Sequence, residues 1–316
     1  MNMANIKLLG LTLALLPALA FAQGRDINEK MTINADTRVV IDNMRGSVEV
    51  SGWSENQATV TGTLDKYAED FIFSLSGDTL TIKVKMPKRG SYDDDDGSDL
   101  KIRLPRGVAL DVKGVSSDFT VKQFEGGAKV RSVSGDLDVR KVAGGVILNS
   151  VSGDIFSREL GGSIELKTVS GDIDDADAAS DEISYQAVSG DIKGFSKATR
   201  VQAETVSGDL TLNVKQVENL KVNTVSGDLE TRLELLPRGQ VRASSVSGEI
   251  SLIFGGALNF EVDAEANAGG GIHNRLTDDK PQRPRFGPGE SLNFQVGDGN
   301  GSVRLTTVSG DINLRN

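Results

Sequence analysis

Apolar and polar residues alternate along most of this chain in short runs, and the runs come in pairs. Leu137 and Val139 alternate with Asp138 and Arg140, and Val146 and Leu148 alternate with Ile147 and Asn149. A period of two places successive side chains on opposite faces, so each run predicts a half-buried β-strand. The runs at 58–63, 71–75, 79–86 and 100–104 alternate in the same way, and 38–50 (RVVIDNMRGSVEV) joins them with Gly46 at its turn. The punctuation is regular. Val-Ser-Gly-Asp stands at 133–136, 151–154, 169–172, 188–191, 206–209, 225–228 and 308–311. Val246-Ser247-Gly248-Glu249 is a variant, and Val115-Ser116-Ser117-Asp118 a degenerate first copy. From 115 to 225 neighbouring copies are 18 or 19 residues apart, and the next step is 21. Gly126-Gly127, Gly144-Gly145 and Gly161-Gly162 fall midway. Each repeat therefore reads strand, SGD turn, strand, GG turn.

One such unit cannot bury its apolar face alone. Set ~4.8 Å above a copy of itself, its strands pair and its Val and Leu side chains form continuous columns. The expected fold is all-β, a parallel β-solenoid (single-stranded β-helix) of roughly 18–19-residue coils, with either a flattened or a three-sided cross-section. Glycines are expected at the corners for their positive φ. The turn residues assigned a structural role are Gly135 and Asp136, Gly153 and Asp154, Gly171 and Asp172, and Gly190 and Asp191. Gly208 and Asp209, Gly227 and Asp228, Gly248 and Glu249, and Gly310 and Asp311 complete the set. Just before each motif valine stand Ser132, Ser150, Thr168, Ala187, Thr205, Thr224, Ser245 and Thr307. This column of small hydroxyls can bond along the stack or to the turn backbone. Stacked aspartates about 5 Å apart repel unless each accepts turn N–H groups or a row of cations lies between them.

The ends differ from the middle. Residues 1–22 have the order of a secretory signal peptide: Lys7, an apolar run over 8–21, and Ala20-Phe21-Ala22 at the cleavage site. No later segment approaches the ~20 apolar residues of a membrane span. Residues 23–113 read as an N-terminal strand-rich cap and first coils, which Trp53, the one tryptophan, is expected to seal. Residues 114–316 are the VSGD-repeat solenoid. Its rhythm breaks after Gly248, where a Pro/Gly-rich surface loop lies at about 276–290.

Composition narrows the class. With 36 Gly, 7 Pro and 5 % aromatics, a thin aliphatic core is expected in place of a broad one. Export usually invites disulfides, yet there is no Cys, so stability rests on packing and backbone pairing. The formal net charge of −10 argues against nucleic acid and anionic membranes as partners. Chemistry has few candidates. His273 is the one histidine, and nothing near it resembles a nucleophile elbow. Asp172, Asp174, Asp175 and Asp177 are the nearest thing to the paired carboxylates of a β-helix glycosidase. Asp93, Asp94, Asp95 and Asp96, with Asp99, are candidates for a weak cation site, with calcium as the ion. No catalytic residue and no other cofactor is assigned.

The repeated VSGDI/VSGDL turn, the GSVEVSGW segment at 46–53 and the KIRLPRGVALDV segment at 101–112 resemble the bacterial "putative adhesin" family of exported β-strand-repeat proteins of unknown function. The resemblance covers roughly 36–316. It implies export, a β-solenoid and no established catalytic residues. The expectation is a non-catalytic periplasmic or cell-surface protein that binds an envelope polymer or a protein surface through its repetitive face. The alternatives are a periplasmic scaffold or envelope-stress component and, ranked lower, a carbohydrate-active β-helix enzyme.

Overall fold

The computed structural model describes residues 24–88 and 97–316, and the signal-peptide reading of 1–22 lies outside them. Alternation becomes burial directly. In Leu137–Val142, Leu137, Val139 and Val142 are buried while Arg140 is exposed; in Val146–Asn149, Val146 and Leu148 are buried. Among the described residues there are 24 strands and no helix, so the protein is all-β.

Most strands pair in parallel with the next strand but one, which gives two ladders. One runs through Ala128–Arg131, Val146–Asn149, Ile164–Lys167, Glu182–Gln186 and Arg200–Ser207. The other runs through Leu137–Val142, Ile155–Arg158, Ile173–Ala178 and Ile192–Ser196. Registers advance by one repeat per step, as in Val146↔Ile164↔Ile183↔Val201. The core is the space between the ladders, filled by their inward Val, Leu and Ile side chains. Long strands such as Arg38–Trp53, Ala109–Phe124, Leu210–Ser226 and Leu229–Ser247 turn a corner and contribute to both ladders.

Both ends thread out of sequence order. Arg38–Trp53 lies between Ala109–Phe124 on one side and Thr79–Lys85 with Ser98–Pro105 on the other. At the far end, Gly301–Ser309 is inserted between Leu229–Ser247 and Phe260–Ala266. The chain's last strand, Ile312–Arg315, likewise sits between Ile250–Phe254 and Ile272–Asn274. The final VSGD is therefore not the final layer, and the lost rhythm after Gly248 marks the excursion that builds the layer outside it. Antiparallel pairs cover the two ends: Asp26–Thr32 on Gln57–Thr63, Asp70–Ser76 on Thr79–Lys85, and Glu290–Val296 on Phe260–Ala266. Asp26–Thr32 carries Asp26, Glu29 and Lys30 on a mostly exposed edge, which discourages pairing with another chain.

Candidate functional site

The SGD corner recurs layer after layer, and its side chains divide by direction. The small residue before the motif points inward: Ser132, Ser150, Thr168, Ala187, Thr205, Thr224, Ser245 and Thr307 are all buried. The motif valine points out. Val115, Val133, Val151, Val169, Val188, Val206, Val225, Val246 and Val308 are each 43–47 % exposed, forming a line of nine apolar side chains. Groups this apolar and this evenly displayed form a continuous ridge, unlike singly scattered surface hydrophobes. A groove of about 560 Å³ runs beside the ridge past Lys167, Gln186, Glu204 and Asn223. Glu204 Oε1 there accepts from Gln202 Nε2 and Asn223 Nδ2, each at 3.1 Å.

The glycine is required by the closeness of the stack. A Cβ on Gly153 would stand 2.1 Å from the carbonyl oxygen of Gly135, and one on Gly171 would stand 2.2 Å from that of Gly153. Positive φ, the reason expected from sequence, holds in the GG turns at Gly127 (+85°) and Gly162 (+71°), but at the SGD corner only later, at Gly208 (+144°), Gly227 (+135°) and Gly248 (+152°). The hydrogen bonding of the corner also differs between the two ends of the stack. In the earlier layers the hydroxyls of Ser132, Ser150 and Thr168 accept the N–H of Gly135, Gly153 and Gly171 at 3.0, 2.9 and 3.0 Å. Ala187 has no hydroxyl to offer. From that layer on, the glycine N–H donates to the next layer instead: Gly190 to Ser207 O at 3.0 Å, and Gly208 to Ser226 O at 3.2 Å. The hydroxyls of Thr205, Thr224, Ser245 and Thr307 are then buried without a hydrogen-bond partner among the described residues. Thr224→Val should therefore leave stability unchanged or raise it by up to about 1 kcal/mol. Ser150→Ala, which strands a buried N–H, should lower it by about 1–3 kcal/mol. Urea melts of the two variants decide this, and equal losses would refute the two-conformer corner.

The aspartates solve their own repulsion. Each carboxylate accepts the backbone N–H of the aspartate one layer on: Asp136 N–H to Asp118 at 2.9 Å, Asp154 to Asp136 at 2.8 Å, and Asp172 to Asp154 at 2.8 Å. The ladder continues through Asp191, Asp209 and Asp228 to the N–H of Glu249. The donor belongs to the neighbouring layer, where an Asx turn would use its own. Glu249 is one methylene longer, and its carboxylate is taken by Asn313 Nδ2 at 2.6 Å. Asp311 resumes the pattern by accepting from Gly271 N–H at 2.7 Å.

The other candidate residues do not converge. Asp93, Asp94, Asp95 and Asp96 lie outside the described residues; Asp99 is exposed and accepts from Ser47 Oγ at 3.1 Å. His273 stands 4.0 Å from the Asp311 carboxylate, both of them solvent-exposed. Among the described residues no three His, Asp or Glu side chains surround a common cation position. Asp172 belongs to the ladder just described, and Asp174 and Asp177 face solvent. Asp175 turns inward and is fully buried. It accepts from Ser157 Oγ at 2.6 Å and from Tyr185 OH at 2.8 Å. Burial pushes its carboxyl up to about 6 against the pull of these two hydroxyls, and raises the Tyr185 phenol well above its ordinary value. A Cβ on Gly194 would sit 3.0 Å from the Tyr185 oxygen, so that glycine makes room for the ring. Sequence reading grouped Asp175 with its exposed neighbours. The two-residue step from Ile173 was the signal that it faces the core.

No helix of the described residues is long and apolar enough to cross a membrane. A search among curated proteins finds no match. The model of one protein family, Toastrack DUF4097, matches residues 36–315. Similar solved structures include a putative lipid binding protein from Parabacteroides distasonis, 16 % identical, covering 92 % of this chain and 97 % of that one, with a TM-score of 0.46. A putative adhesin from the same organism is 16 % identical over 74 % of this chain and 96 % of its own, with a TM-score of 0.43. A putative adhesin from Bacteroides fragilis is 12 % identical over 92 % and 97 %, with a TM-score of 0.40.

Proposed function

The chain belongs to the Toastrack DUF4097 family, and from that premise we propose that it is a non-catalytic exported protein of the cell envelope or surface, binding a polymer or a protein through its repetitive face. The layers are read as a flattened parallel β-solenoid of 18–19-residue coils with a β cap at the N-terminal end. The repeat-long register steps and the antiparallel end strands support that reading.

The observation that carries the binding role is the valine ridge. A core-only protein has no need to hold nine valines nearly half exposed in one line beside a polar groove. Equal contacts at the strand spacing of ~4.8 Å suit an extended partner, because many weak contacts sum once the first has formed. Replacing Val151, Val169, Val188 and Val206 together with serine should leave the thermal melt within a few degrees of the parent. Cosedimentation with the polymer that the parent binds, tried first on purified cell-wall sacculi and chitin, should be lost. A variant that cosediments as well as the parent removes the ridge from the proposal. Protease shaving of intact cells places the protein: cleavage supports adhesion, and survival until the envelope is opened makes it a periplasmic scaffold.

A further inference from the structure

A second cavity lies at the N-terminal end of the other ladder, on residues the ridge does not use. Its volume is about 610 Å³, inside the ~300–1,000 Å³ range of small-ligand sites. Three strands lay out its floor. Glu49, Ser51 and Trp53 alternate along Arg38–Trp53; Lys101 and Arg103 stand opposite Glu49 and Ser51. Thr61 and Thr59 stand opposite Lys101 and Arg103 in the next strand. A row of hydroxyls, a row of cations and a row ending in the chain's one tryptophan therefore lie side by side.

The electrostatics of this cleft invert those of the chain. The protein carries a formal charge of −10, yet Lys101, Arg103 and Lys122 line the cleft with one carboxylate, Glu49. Lys122 is hydrogen-bonded to Glu49 and holds that carboxyl below its usual range. Among the described residues no carboxylate stands within ion-pair distance of Lys101 or Arg103, so the cleft keeps two surplus positive charges. Trp53 is half-buried, and its indole N–H is already donated to the Gln57 carbonyl at 2.8 Å. What the indole still offers is its flat π surface, with the Arg103 guanidinium 5.8 Å from the ring centroid.

We infer that the Trp53 cleft binds an acidic saccharide, a sugar ring bearing a carboxylate. The apolar C–H face of a pyranose suits the part of the half-buried indole that Arg103 leaves open to the cleft. Its carboxylate suits the fork of Arg103 with Lys101 beside it, and its hydroxyls suit Thr59, Thr61 and Ser51. A neutral sugar leaves both cations unused, and inorganic phosphate leaves the indole and the hydroxyl row unused. The polar rows offer no channel for an acyl chain. Trp53, which the sequence suggests as a seal, becomes the platform of a site.

Because Trp53 is the only tryptophan, its fluorescence reports this cleft alone. The purified protein is titrated with trigalacturonate, maltotriose, sodium phosphate and phosphatidylglycerol vesicles at constant ionic strength. Trigalacturonate should give a saturable change and maltotriose a far weaker one. Arg103→Gln and Lys101→Gln should each raise the half-saturation concentration at least about tenfold, as expected for loss of a hydrogen bond to a charged group. Arg158→Gln, on the same ladder but outside the cleft, should not. Circular dichroism melts confirm that the variants fold, and calorimetric titration of Trp53→Phe gives a readout independent of fluorescence. No saturable change with trigalacturonate overturns the assignment. So does an equal response to maltotriose, phosphate or vesicles, or unaltered binding by both cation variants. Neither arm touches the ridge, so failure here leaves the proposed function standing.

Discussion

Gly153→Ala is expected to lower the unfolding free energy by about 3 kcal/mol, among the largest effects of any single methyl group added to this protein. The new Cβ would lie 2.1 Å from the Gly135 carbonyl oxygen and 2.5 Å from its carbon, both of them backbone atoms that cannot rotate away. Relief requires the two layers to separate at the corner. Separation lengthens the bond from Asp154 N–H to the Asp136 carboxylate, which crosses between those two layers. Gly145, in the GG turn of the preceding repeat, supplies the control. Its added Cβ would find nothing nearer than the Ser163 carbonyl oxygen at 3.7 Å, and Gly145→Ala should change stability by less than about 0.5 kcal/mol. Denaturant melts of the pair test the claim that close stacking makes the SGD glycine obligatory. Similar small losses in both variants would show that the corner has slack.

The second large effect is a pH dependence centred on Asp175. Its carboxyl is raised to about 6 in the fold, chiefly by burial, with Asp174 and Asp177 adding to the rise, against an ordinary value of 3.8. Between about pH 4 and 6 the folded chain thus holds a proton that the unfolded chain has released. Where the native state binds more protons, stability falls as pH rises. This group's contribution is most favourable below about pH 4, is lost through pH 6 and is flat above. The gap corresponds to roughly 3 kcal/mol. Asp175→Asn keeps the shape and can still bond Ser157 and Tyr185, but carries no charge at any pH. The variant should match the parent near pH 4 and exceed it by up to roughly 3 kcal/mol at pH 8. Glu49, Asp111 and Glu290, whose carboxyls are lowered, lose their stabilisation at more acidic pH in both proteins and cancel in the difference. Urea melts at pH 4, 5, 6 and 8 read the result. Parallel profiles would mean that Asp175 is hydrated or repacked.

Why a charged side chain should occupy an aliphatic core is partly answered by its partners. Ser157 pairs with Asp175 along one ladder and Tyr185 reaches across from the other, so the three side chains tie the two ladders at one level. Slipping either ladder by one layer would leave a buried acid facing aliphatic side chains. Such a contact specifies register even where it adds little stability.

Strand positions were legible in the sequence because alternation is a local property: each residue's face follows from its neighbours two places away, as at Leu137 and Val139 or Val146 and Leu148. The repeat made parallel stacking legible for a similar reason, since identical units can satisfy their backbones only on one another. Three things were decided by tertiary structure alone. The order of layers at the ends is one, because inserting 301–315 between 229–254 and 260–274 depends on pairings across 40 to 64 residues that no local pattern encodes. The environment of the polar groups is another. The aspartate ladder and the unpartnered hydroxyls past Ala187 exist only when layers lie in register, with the donor a full repeat away. The Trp53 cleft is the third. Its tryptophan, cations and threonines come from four separate strands, and only pairing puts them side by side.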